Sequence, residues 1–102
     1  MKLGIEELMA VEGKDAPRVT QKMFDENIID TEVVMHITKS GQILRWGVLT
    51  TKSGFAVTGS PSACASSAND IPEYGETLAI ENARKELWPL MGYALKQGLM
   101  SG

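Results

Sequence analysis

The four residues "TKSG" occur twice, at 38–41 and 51–54, and each copy separates two strand-like runs. "TEVVMHIT" is rich in β-branched residues and predicts a strand over Thr31–Thr38. Gln42–Thr51 predicts a second strand, and Phe55–Gly59 a shorter third. Glycine reaches positive φ at low cost, and Ser and Lys suit the rest of a tight loop. The two copies therefore predict two hairpin turns and a three-stranded antiparallel meander. Lys, Ser and Gly together can also suggest phosphate binding. Consecutive turns of a meander lie at opposite ends of the sheet, however, and a strand of about nine residues spans roughly 30 Å. Lys39 and Lys52 cannot grip one small ligand within a single chain, although Lys52 could reach a pocket shared between subunits. Strand alternation sets Val33, Met35 and Ile37 against Val34, His36 and Thr38. It likewise sets Leu44, Trp46 and Val48 against Ile43, Arg45 and Leu49.

The flanks read as helical. Residues 3–10 form a short amphipathic stretch with Ile5, Leu8 and Met9, ending near Gly13, Lys14 and Asp15. Thr20 suits the N-cap of a short helix through about Ile28, with Phe24 and Ile28 on one face. Residues 59–75, "GSPSACASSANDIPEYG", predict a loop longer than most connections, either functional or a plain crossover from sheet to helix. From Tyr74 a helical pattern begins. Gly75, Ala79 and Ala83 recur every four residues as a stripe of small side chains flanked by Leu78 and Leu87, which permits close backbone approach. The stripe would either seat the helix on its own sheet or meet another subunit. Pro89 lacks an N–H and would clash with the Lys85 carbonyl, so a kink or break is expected near Trp88, with continuation to Gly98 as C-cap. The fold class is α+β: a short N-terminal helix, a three-stranded antiparallel β-meander and a long kinked C-terminal helix packed on the sheet. At 102 residues with 43% hydrophobic content, a single domain with its own core is expected.

Several classes of function find little support. The net charge of −3 disfavours a general nucleic-acid binder. No segment approaches the ~18 apolar residues of a membrane span, and the N-terminus lacks a signal-peptide pattern. The one cysteine, Cys64, forms no internal disulfide and suits an intracellular protein. Cys64 and His36 are the only Cys and His, too few for a zinc site, and nothing in the sequence juxtaposes them as a catalytic dyad. No metal site, no cofactor and no catalysis are expected. What remains is small-ligand binding. Thr50, Lys52, Thr58, Ser60 and Ser62 gather hydroxyls and one ammonium near the third strand, and Asn82, Arg84 and Lys85 add donors on the last helix. Such groups suit a phosphorylated or nucleotide-like anion. The same residues are also ordinary strand and loop residues.

The stretches "LTTKSGFAVTG", "SAC" and "GETLAIENARKELWPLMGYALKQG" carry a resemblance. Lys52, Gly54, Phe55, Val57 and Gly59, then Ser62-Ala63-Cys64, then Gly75, Ala79, Asn82, Ala83, Trp88, Leu90, Gly92 and Tyr93 follow one pattern. It resembles a family of small tailed-phage proteins typified by gene product forty-nine of phage N-four and gene sixty-six of Shigella phage Sf-six. Ser53 stands where Asn is usual, Pro61 lengthens the link before Ser62, and Met91 stands where an acidic residue is common. The resemblance covers about residues 18–98 as the core, leaving 1–17 as an N-terminal extension. It implies a phage protein in the host bacterial cytoplasm. The expected function is counter-defence: a homo-oligomer, dimer or tetramer, that sequesters a cyclic oligonucleotide or related immune signal. Lys52, Thr58, Ser60, Ser62, Arg84 and Lys85 would line its site, with Tyr74 or Trp88 as a wall. The alternatives are a module that inhibits a host protein and a minor virion or assembly component.

Overall fold

The computed structural model describes residues 17–64 and 66–101. The amphipathic stretch at 3–10 and its expected end at 13–15 lie outside them. Helix α1 spans Gln21–Asn27, as Thr20 predicts: its Oγ1 accepts from the Met23 N–H at 3.1 Å. Three strands follow, β1 (Ile28–Ile37), β2 (Ile43–Thr51) and β3 (Ala56–Thr58), antiparallel in the order β1-β2-β3.

Both TKSG stretches are turns, and they are built alike. Thr38 N–H donates to Gln42 O and Gly41 N–H to Thr38 O, both at 2.9 Å. Thr51 N–H donates to Phe55 O at 2.9 Å and Gly54 N–H to Thr51 O at 2.8 Å. Each leaves a three-residue Lys-Ser-Gly loop closed by a glycine in the left-handed region, with φ 92° at Gly41 and 87° at Gly54. Each Thr hydroxyl also meets the Ser hydroxyl two residues on, at 2.8 and 3.0 Å. The turns cap opposite ends of β2.

Two expectations are corrected. The stretch read as one long loop contains a fourth strand, β4 (Ser62–Cys64), which pairs with Ile43–Arg45 of β2. β3 and β4 therefore share one flank of β2, whose other flank belongs to β1. Helix α2 runs from Pro72 to Ser101, unbroken through Pro89 and past Gly98. Pro89 is exposed, while Leu87 is buried and Trp88 packs against the core, so side-chain packing holds the helical path where one backbone bond is lost. Pro72 takes the first helical position, where its missing N–H costs nothing.

α2 lies across one face of the sheet, and the small-residue stripe is its seat. Ala79 and Ala83 are fully buried. A Cβ added at Gly47 would stand 2.5 Å from Ala79 O and 2.8 Å from Ile80 Cα, so bare backbone of β2 meets bare backbone of α2. Gly59 approaches Asn82 in the same way. The core behind this contact is Phe24, Leu49, Val57, Ala83 and Leu87, with Val19, Ile28, Trp88 and Met91 packed against it. Leu78, expected beside the stripe, is half-exposed.

Candidate functional site

Two concave places stand out. The first is a cleft of about 200 Å³ where β4, the turn at Ser67–Asn69 and the first turns of α2 converge, lined by Arg45, Ser62, Cys64, Asp70, Tyr74 and Leu78. Arg45 lies on the helix-facing side of β2 and is buried. Its Nη1 and Nη2 donate to the two carboxylate oxygens of Asp70 at 2.7 and 2.8 Å, a bidentate pair. The hydrogen bonds from Arg45 hold the Asp70 carboxyl below its ordinary value of 3.8, and Asp70 in turn raises Arg45. Gly75 leaves room for this: a Cβ there would sit 2.8 Å from Arg45 Nη1. Ser62 Oγ donates to Gly75 O at 2.7 Å, and Cys64 Sγ donates to Ser66 O at 2.9 Å. These polar groups satisfy one another. They clip β4 and the following loop to the start of α2.

The second place is the face of the sheet turned away from α2. Strand register puts Val34, His36 and Glu32 of β1 on that face, beside Trp46, Leu44 and Val48 of β2. Ala56 and Thr58 of β3 complete it. A shallow depression of about 280 Å³ runs among Val34, Trp46, Val48, Ala56 and Thr58. No described element covers this face. Asp30 and Glu32, both exposed, border it on β1.

The eight residues singled out from sequence are dispersed between these places and others. Ser62 and Tyr74 share the cleft, Ser62 buried and Tyr74 73% exposed. Arg84 and Trp88, four apart on α2, both engage Phe24. Trp88 stacks on the ring at 4.0 Å between centroids, and the Arg84 guanidinium lies 4.8 Å from its centre. Arg84 also binds Asp25 at 2.6 Å, holding that carboxyl low. Thr58 lies on the uncovered face. Lys52 is exposed in the second turn, where its N–H donates to Asn27 O. Ser60 is exposed and its carbonyl accepts from Asn82 Nδ2 at 2.9 Å, while Lys85 is exposed on α2. The structure does not gather the eight into one pocket.

His36 and Cys64 lie on opposite faces, since their partners Leu44 and Ile43 are consecutive on β2. Among the described residues no group of three His, Cys, Asp or Glu could hold a metal ion. No helix among them is long and apolar enough to cross a membrane. Sequence reasoning overlooked Arg45 and Asp70 as partners. The sequence offers one hint, an arginine sharing a strand face with Ile43 and Leu49: were that face the buried one, the charge would need a carboxylate.

Comparison with known proteins gives one family. No curated protein and no solved structure matches the chain. The sequence model of the phage protein (N4 Gp49/phage Sf6 gene 66) family matches residues 19–99, from the cap of α1 almost to the end of α2. That span holds the four-stranded sheet, its two Lys-Ser-Gly turns and the small-residue seat of the long helix, and the chain belongs to this family.

Proposed function

We propose that this phage protein works by binding, without catalysis, in the host cytoplasm, and that it engages and inhibits a host protein through the uncovered face of its sheet. The observation that carries this reading is Trp46. It sits at the middle of an apolar face with Val34, Leu44, Val48 and Ala56, and no described element lies over it. A tryptophan in a shallow apolar setting is the usual kind of anchor at a protein interface. Asp30 and Glu32 on the border select a partner with an apolar centre and basic flank.

A second reading, sequestration of a cyclic oligonucleotide or related signal, has one observation in its favour. The exposed Tyr74 ring stands at the cleft that holds Arg45 and Ser62, a stacking surface beside a cation. Against it, Asp70 already takes both terminal nitrogens of Arg45, and Glu73 and Glu76 stand on the same helical turns. A phosphate would have to displace one carboxylate and tolerate two more.

The two readings separate in one pair of experiments. Tagged protein is used to capture partners from host lysate, and the purified protein is melted with cyclic dinucleotides, cyclic trinucleotides and NAD-derived signals. The interaction reading expects a captured protein that is lost with Trp46→Glu and kept with Tyr74→Ala. A ligand-induced rise in melting temperature that disappears with Tyr74→Ala, with ligand recovered intact after denaturation, would replace it by sequestration. Recovery of altered ligand would make the protein an enzyme.

A further inference from the structure

We infer that strand β1 pairs with β1 of a second copy, joining two sheets edge to edge into one. β1 is an edge strand: β2 holds one side of it, and among the described residues nothing pairs with the other. Edges of this kind are normally blunted by Pro, by charged side chains, by β-bulges or by brevity. β1 is ten residues long and has no Pro and no Lys, and its carboxylates Asp30 and Glu32 and its register shift all lie in its first half, which leaves Val33–Ile37 without such a device. It also carries exposed apolar side chains on both faces, with Val34 at 52%, Met35 at 54% and Ile37 at 56%.

The hydrogen-bond phase of the free edge can be read from the first turn. Thr38 N–H donates to Gln42 O, so Thr38 faces β2. By alternation His36, Val34 and Glu32 also spend their backbone groups on β2. Thr31, Val33, Met35 and Ile37 turn their N–H and C=O groups outward; the Thr31 N–H already donates to Asp30 Oδ1 at 2.9 Å, a bond it would exchange for one to the second copy. The register shift between Ile28 and Asp30 ends the regular segment, which leaves Thr31–Ile37 with Val34 at its midpoint.

A two-fold pair of identical edges is antiparallel, and residues that meet must share a face. Centring the axis on Val34 uses the whole regular segment. Val34 then meets its own copy, Val33 meets Met35, Glu32 meets His36, and Thr31 meets Ile37. Apolar groups face apolar groups at the centre, and each carboxylate faces an imidazole. Shifting the axis to Val33 sets Glu32 against Val34, and shifting it to Glu32 sets two carboxylates against each other, which is unfavourable. Shifting it to Met35 sets Val34 against His36 and leaves Glu32 facing Thr38. Backbone phase permits each of these axes, and side-chain chemistry with the length of the regular segment selects Val34. The resulting assembly has both α2 helices on one side and both uncovered faces, with their Trp46 residues, continuous on the other. This pairing needs no host partner and is tested on the purified full chain.

The experiment combines mass and cross-linking. Light scattering of the full chain should give twice the 11.1 kDa chain mass. Val33→Pro removes an outward N–H and no bond to β2, so a folded protein of single-chain mass is expected, with folding checked by circular dichroism. In a Cys64→Ser background, Val34→Cys should form a disulfide-linked dimer. The two Val34 Cα atoms would be about 4.5 Å apart as a non-hydrogen-bonded pair, within the ~4.4–6.8 Å a disulfide spans. Glu32→Cys should lose the cross-link, because its copy would lie roughly 13 Å away along the strand. A single-chain mass at every concentration overturns the inference. So does a folded Val33→Pro protein that keeps the double mass, or equal cross-linking at positions 32 and 34.

Discussion

Arg45 is a buried charge on the strand that touches every other strand of the sheet, and its partner Asp70 comes from the loop before α2. Losing either partner leaves the other charge buried and uncompensated. The pH consequence follows from the lowered carboxyls of Asp70 and Asp25. A carboxyl held lower in the folded state than in the unfolded chain stabilises the fold above the unfolded value. That contribution is lost as pH falls through the folded value. The melting temperature should therefore be nearly level from pH 7 to about pH 5 and fall below about pH 4. In Asp70→Asn it should start lower and fall less steeply, which a series of thermal melts would show. At Gly47 the constraint is space. Gly47→Ala puts a methyl against the Ala79 carbonyl, which belongs to backbone and cannot swing aside. A loss of about 1–3 kcal/mol in urea denaturation is expected.

α2 is held by different means along its length. Its first half lies on the sheet by backbone proximity at Ala79 and Ala83 and by the Asn82–Ser60 hydrogen bond. Its middle is gripped by α1, through the Phe24–Trp88 stack and the Arg84–Asp25 pair. Beyond Pro89 its grip weakens: Met91 still packs against the core, but Leu90 and Tyr93 are exposed, and a Cβ added at Gly92 or Gly98 would meet nothing within 4 Å. Pro89 sits at this transition on the solvent side of the helix. Pro89→Ala would restore the hydrogen bond to the Lys85 carbonyl and remove the ring clash. It should stabilise the protein, by up to about 3 kcal/mol in denaturant unfolding. A loss of stability would mean that the proline sets a helix direction the core requires.

At the scale of the whole molecule the described residues form two layers, one sheet and one helix thick. A two-layer body this thin buries only one face of its sheet, and the other keeps Trp46 half-buried beside Val34. The chain's two tryptophans report on the two sides. In a Trp88→Phe variant, emission comes from Trp46 alone. Anything that covers the face should shift that emission to the blue, whereas unfolding should shift it to the red. An unchanged spectrum on binding a captured partner would move the interface elsewhere.

Local rules in the sequence were enough for much of this. The Lys-Ser-Gly turns need only a glycine at positive φ, Thr20 needs only the N–H groups ahead of it, and the strand alternation around Trp46 is a property of the pleat. The stripe at Gly75, Ala79 and Ala83 was legible as a close approach, but its partner was not, because Gly47 and Gly59 lie far away in the chain. β4 escaped notice because three residues carry no usable periodicity, and its strand character comes from pairing with Ile43–Arg45. The candidate site was least legible of all. Which donors converge depends on the face each strand turns to the helix and on the length of the loop that carries Asp70 to Arg45, and only the folded chain sets these.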